Sequence, residues 1–189
     1  MNKEVPLAYC DLIHPNGFCK ETKKELGLDS EEAPVLFLFS ELATTNLKFK
    51  LDIGQTLDKR KVKEFWEAYK DKSLVPYRKS EREPRYQANN LVHYAVGATF
   101  QNLVIDSEYD AVVLFDGNAC KYCKVLRHLY QHAAQRLKHN LNIRFFTINM
   151  SRNEVAGIRP AAVQQHKVLF YVAGSKNKPL DFSAFRSEG

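Results

Sequence analysis

Four cysteines in 189 residues are too few for a secreted scaffold held together by many disulfides. No apolar stretch approaches the roughly 18 residues that span a bilayer. The opening M-N-K-E-V-P-L-A-Y has no apolar core of a signal peptide, and the closing F-R-S-E-G is neither a retention signal nor a lipidation box. No run of five like charges occurs, and there is no zinc-finger or RNA-recognition signature. The formal charge is +6, but bases and acids are interleaved, as from Asp58 through Glu67. A solvated surface accounts for that balance, and neither nucleic acid nor a membrane span is expected as a partner. With 44% hydrophobic and 26% charged residues, the chain suits one large or two small folded domains.

The pattern of apolar residues places the elements. Pro6 to Asp11 can form a short strand, broken by H-P-N-G. A helix follows from about Gly17 to Leu26, stopped by Gly27. Val35 to Phe39 and Leu47 to Leu51 read as strands. Leu57 to Tyr69 reads as an amphipathic helix, capped by Thr56 or Asp58, with Val62, Phe65, Trp66 and Tyr69 at helical spacing. Phe18, Leu26, Phe37, Phe39 and Trp66 are expected to fill a core. Residues 77–89 have no apolar period and make the best linker, since few contacts are expected from them.

The second half alternates more cleanly. Leu91–Val96, Ala111–Phe115, Ile143–Ile148 and Val168–Val172 read as strands, with a returning strand over Leu180–Phe185. A short helix is expected over Thr99–Val104. A long one is expected from Ala119 to about Lys138, with Leu126, Leu129, Tyr130, Ala133 and Leu137 on one face. Val155 to Gln165 is interrupted by Gly157 and Pro160. The run Ala111–Phe115 is apolar on both faces, which favours a parallel sheet covered by helices. The order strand, helix, strand, helix, strand, helix, strand, strand is that of a thioredoxin-type α/β layer structure.

Four motifs in order carry a resemblance: V-G-A-T-F from Val96, A-C-K-Y-C-K around Cys120 and Cys123, N-E-V from Asn153, and V-L-F-Y-V-A-G-S-K-N-K-P-L-D-F with Arg186. Together they resemble the last catalytic domain of the protein disulfide isomerase family, whose site reads W-C-G-H-C-K. Upstream, E-L-G-L-D-S-E-E-A-P-V-L-F-L-F is similar to the later part of that family's non-catalytic substrate-binding domain. The resemblance implies a partial thioredoxin-like domain over 1–77, a linker over 78–88, and a thioredoxin-like domain with the C-x-x-C over 89–189. It also implies that the first domain starts midway and that the second stops before its last helix, so exposed sheet could support self-association.

A C-x-x-C at a helix start suits thiol–disulfide exchange, because the helix N-terminus favours the thiolate that attacks. The resemblance assigns Cys120 as nucleophile, Cys123 as resolver and Arg186 as the arginine that lowers the pKa of the second thiol. It places Lys121, Tyr122, His166 and Lys167 beside the substrate. Several positions depart from the family pattern. Lys121 and Tyr122 replace glycine and histidine, and Ala119 replaces tryptophan. Leu114 stands where the family has the buried glutamate that takes the proton of the second thiol; Asp116 is a candidate substitute. His166, or Gln165 if the alignment shifts, stands for the cis-proline.

Three readings stay open. The first is an oxidoreductase or isomerase acting on protein cysteines, with weakened or specialised activity and no cofactor. The second is a degenerate member that binds unfolded or partner proteins. The third is metal or iron–sulfur binding through Cys120, Cys123 and His166. His128 and His132, four apart on a helix, can also bind a metal ion. Cys10 and Cys19 are expected to be structural, with a disulfide between them possible if they lie close enough. The family resemblance implies the endoplasmic reticulum lumen, although the chain carries no signal for it.

Overall fold

The structure, a computed structural model, describes residues 8–11, 14, 16–28, 35–40, 47–53, 58–84, 90–117, 123–158 and 167–182. The chain divides into two compact units, Met1–Tyr77 and Arg78–Gly189.

The first unit has two helices and one strand pair among its described residues. Helix α1 spans Gly17–Leu26 and ends at Gly27, whose φ of 67° is left-handed. A glycine takes that conformation without steric cost, and the turn lets Leu28 N–H bond back to the Lys23 carbonyl at 3.1 Å. Leu26 and Leu28 on either side of the turn are both buried. Cys10 and Cys19 form a disulfide with Cα atoms 5.2 Å apart, tying the segment before α1 to its first turn. Residues 8–11 are irregular, so no strand is formed there; the rest of that expected strand lies outside the described residues.

Strands β1 (Val35–Phe39) and β2 (Lys48–Asp52) pair antiparallel, with Phe37 opposite Lys50. Helix α2 spans Lys59–Lys70 and starts at Asp58, whose carboxylate accepts from Arg60 N–H at 2.8 Å. The Tyr77 hydroxyl donates to the Leu26 carbonyl at 2.7 Å, and its N–H to the Lys48 carbonyl at 2.6 Å, joining α1 to β2.

The core of this unit differs from the expected one. Leu26, Leu28, Phe49, Ile53 and Phe65 are buried, whereas Phe18, Phe39 and Trp66 are exposed. Helical spacing located the apolar face of α2 only to within one position, and tertiary packing chose Phe65 over its neighbour Trp66.

The second unit is a five-stranded sheet in the order β3-β5-β4-β6-β7. Strands β3 (Val92–Tyr94), β4 (Asp110–Asp116) and β5 (Ile143–Asn149) are parallel; β6 (Lys167–Tyr171) pairs antiparallel with β4, and β7 (Leu180–Asp181) pairs antiparallel with β6. This is the mixed sheet of a thioredoxin-like fold. Parallel neighbours need crossovers. Helix α3 (Gly97–Phe100) continues as a single π-helical turn over Gln101–Ile105 between β3 and β4, and α4 (Cys123–Arg136) lies between β4 and β5.

Strand β4 divides the apolar residues between two faces. Ala111, Val113 and Phe115 join Phe146, Ile148, Phe100, Val104, Leu169 and Tyr171 in one buried cluster. Leu114 joins Tyr130, Ala134 and Phe145 on the other. Alternation along the strand explains the split, and both faces being apolar explains the unbroken run V-V-L-F. On α4 the buried positions are Tyr130 and Ala134, with Leu126 partly buried. Leu129 and Leu137, expected on the same face, are exposed, as is Ala133. The apolar stripe therefore follows strict i, i+4 spacing, and the leucines beside it face away.

The segment after Tyr77 is not the contact-poor linker that its composition suggests. Within the expected linker 78–88, residues 78–84 are described, and several bond into the second unit. Glu154 N–H donates to the Lys79 carbonyl at 2.8 Å, and Ala98 N–H to the Ser80 hydroxyl at 3.0 Å. Asn153 is the centre of this clamp and is fully buried. Its carbonyl oxygen accepts from Glu81 N–H at 3.0 Å and Gly97 N–H at 2.8 Å. Its amide nitrogen donates to Glu81 Oε1 at 2.7 Å and to the Asn149 carbonyl at 2.9 Å. A polar segment without an apolar period can still be fixed when a buried amide satisfies its backbone. The same clamp explains the glycine of V-G-A-T-F: a Cβ on Gly97 would lie 2.6 Å from the Lys79 carbonyl oxygen.

Candidate active site

The parallel strands β4 and β5 end side by side, with Asp116 opposite Asn149. Strand β4 ends at Asp116, and α4 is described from Cys123 onward. Cys123, the second cysteine of the C-x-x-C, therefore begins the described part of the helix that follows β4 in the chain. Cys120, Lys121 and Tyr122 lie outside the described residues, as do Ala119, Gln165, His166 and Arg186. The expected grouping of Cys120, Cys123 and His166 around a metal likewise falls outside them. Among the described residues no cluster of three or more histidine, cysteine, aspartate or glutamate side chains is placed to hold a metal ion.

What is described is the floor of the site. Leu114 is 1% exposed and packed against Tyr130, Ala134 and Phe145. Where the family pattern has an acid, this protein has an aliphatic contact. Two residues on, Asp116 points to the same face and is also buried. Its Oδ1 accepts from Gly117 N–H at 2.7 Å. Its Oδ2 accepts from Arg127 Nε at 2.6 Å, and the Arg127 Nη2 forms an ion pair with the same oxygen. Arg127 stands four residues after Cys123, one helical turn inside α4. Charge-assisted bonds of this kind are roughly twice as strong as neutral ones. Asp116, at the end of β4, is therefore a carboxylate already committed to a guanidinium.

Beneath these groups a cavity of about 350 Å³ opens between α4 and the sheet, lined by Tyr94, Leu114, Asp116, Arg127, Thr147 and Asn149 among others. Tyr94 donates to Glu81 Oε1 at 3.0 Å. Burial, then that hydrogen bond, pushes its pKa up to about 12, so it stays a neutral donor at physiological pH. Tyr130 closes the inner end, with its hydroxyl 2.7 Å from the Val112 carbonyl and 2.8 Å from that of Phe146. Burial raises its pKa further still, so its hydroxyl stays a neutral donor to these carbonyls.

Lys167, expected beside the substrate, begins β6 and pairs with Phe115 at the same edge of the sheet. Its ammonium lies 3.3 Å from the Asp181 carboxylate across the hairpin, which holds it against the fold. Arg127 was not singled out from the sequence, because nothing in the spacing of Asp116 and Arg127 marks them as partners. Asn153 was legible only as part of a motif, without the contacts that explain it.

The family model described as "Thioredoxin" matches residues 91–180. Among curated proteins, the probable protein disulfide-isomerase ER-60 of Schistosoma mansoni is 25% identical over 97% of this chain and 37% of its own length. The protein disulfide-isomerase of Drosophila melanogaster is 24% identical over 85% of this chain and 32% of its own length. The human protein disulfide-isomerase A4 is 26% identical over 84% of this chain and 24% of its own length. The chain thus spans about a third or less of those relatives. A crystal structure of ERdj5 aligns over 88% of this chain and 19% of that one at 13% identity, with a TM-score of 0.42. At that score it adds nothing to the fold, which rests on the sheet order and the family match. Residues 91–180 match a thioredoxin domain, in keeping with the thioredoxin-like sheet, and the chain is similar over most of its length to proteins named protein disulfide-isomerase.

Proposed function

We propose that the second unit carries out thiol–disulfide exchange on protein cysteines through Cys120 and Cys123, with a slowed resolving step. The observation that carries this reading is the passage from β4 into α4, which puts Cys123 at the first turn of a helix on a thioredoxin sheet. In this scheme the Cys120 thiolate attacks a substrate disulfide and releases one substrate thiolate. Cys123 then loses its proton and attacks the mixed disulfide, releasing the second thiolate. The substrate gains two electrons and the Cys120–Cys123 pair becomes a disulfide. Leu114 cannot accept the Cys123 proton, and Asp116 is held by Arg127. The second step is therefore the slow one. Arg186 is the proposed source of positive charge for it; Lys121, Tyr122, His166 and Lys167 are the proposed substrate-facing positions.

We also assign residues 1–77 to part of a non-catalytic thioredoxin-like domain, and cysteine-containing or unfolded proteins as substrates in the endoplasmic reticulum lumen. Both assignments rest on the similarity to protein disulfide-isomerases. A second reading has an observation of its own. Val125 and Leu129 on α4, and Leu180 and Phe182 at the β7 edge, are exposed apolar groups suited to client binding without redox chemistry.

Insulin reduction separates the two. Turnover faster than free glutathione and abolished in Cys120→Ser is the expected result. A rate no faster than glutathione, with aggregation suppression that survives Cys120→Ser/Cys123→Ser, would replace it with the client-binding reading.

A further inference from the structure

The outer side of α4 carries a feature that exchange chemistry does not use. His128 and His132 stand one helical turn apart, both exposed, with their Nε2 atoms 3.1 Å from each other. Their rings meet nearly at right angles, with centroids 4.6 Å apart. Two neutral imidazoles hold this contact only when one donates Nε2–H to the other; something must sit between the two lone pairs. A proton is one occupant. The other is a metal ion. At an imidazole–metal distance of ~2.0–2.1 Å, a 3.1 Å separation subtends about 100° at the metal. That angle lies between the cis angle of an octahedral ion and the tetrahedral angle. The rigid helix already sets the bite, so little side-chain ordering remains for binding to impose.

The neighbourhood fits an open, exchangeable site. The pair borders a groove of about 480 Å³ whose other walls are Asn90, Leu91 and Val92 on one side and Gln131 and Gln135 on the helix. Among the described residues no carboxylate or thiol lines it, so the remaining coordination positions would be filled by water or by a ligand entering the groove. Nitrogen donors without carboxylates select Ni2+, Cu2+ and Zn2+ over Mg2+ and Ca2+.

We propose that His128 and His132 form a bidentate site for a divalent transition-metal ion, separate from the dithiol. The test is calorimetric titration of NiCl2 into the full, untagged chain in a Cys120→Ser/Cys123→Ser background, which removes thiolate competition for the metal. One Ni2+ per chain is expected to bind and to raise the unfolding midpoint. His128→Ala and His132→Ala are each expected to weaken binding at least fivefold, with unchanged far-ultraviolet circular dichroism. His139→Ala, a control on an exposed histidine beyond the end of the helix, should leave binding as it was. No binding below millimolar Ni2+, or a weakening of less than fivefold in either histidine variant, overturns the proposal.

Discussion

The two faces of the second unit's sheet are built differently. On the α3 face, β4 and β5 contribute Ala111, Val113, Phe115, Phe146 and Ile148 to a dry apolar cluster. On the α4 face, the same strands contribute Leu114 and Phe145, but also Asp116, Thr147 and Asn149 beside a cavity. The first face holds the fold together. The second gives up packing at its carboxyl end, where β4 stops at Asp116. One strand serves both because alternate residues point opposite ways, so stability and chemistry can be tuned at adjacent positions.

Substitutions at neighbouring positions of β4 break the comparison most strongly. Phe115→Ala should cost about 4 kcal/mol in chemical denaturation, since it opens a cavity in the dry cluster, and should leave the exchange rate per folded molecule unchanged. A similar fall in that rate would mean that the faces are not independent. Leu114→Glu is expected to cost on the order of 3 kcal/mol for burying a carboxyl. It should also raise insulin-reduction turnover about tenfold by supplying a proton acceptor. Lower stability with no gain in rate would show that the resolving step is not limited by proton transfer.

Arg127→Ala tests the polar end of the open face. Removing the guanidinium leaves Asp116 buried with, among the described residues, the Gly117 N–H, and a loss of about 1–2 kcal/mol is expected. A double-mutant cycle with Asp116→Asn should recover most of that loss as coupling energy; purely additive effects would contradict the pairing.

The smallest effect lies on the closed face. His93 contacts the Phe146 ring, with centroids 5.6 Å apart. Burial, then the nearby Arg144 charge, lowers its pKa. The unfolded chain therefore takes up this proton more readily than the folded one. Its contribution to stability is present above the ordinary histidine value of about 6.5 and is lost as pH falls through the lowered value. His93→Gln should flatten the pH dependence of stability in that window. An unchanged slope would assign it to other groups.

Much of this was legible in the residues. Gly27 marked the end of α1, Asp58 the start of α2, and the run V-V-L-F the central strand. These are local effects: a left-handed glycine, a carboxylate on free N–H groups, and alternation on a strand apolar on both faces. The candidate site was legible as a motif between strand and helix, and Leu114 as the missing acid. The core of the first unit was not, because Trp66 and Phe65 are adjacent on a helix and sequence spacing does not say which one turns inward. The polar segment after Tyr77 was misread for a similar reason: its partner, Asn153, is some seventy residues away.

Local sequence thus settled where α1 ends and which strand is central. Tertiary structure alone decided that Asp116 is held by Arg127, that Asn153 binds residues 79–81 to the sheet through Glu81, and that Cys10 meets Cys19. Each of these depends on two chain segments arriving within bonding distance, which is set by the packing of whole elements and leaves no periodic mark in the residues themselves.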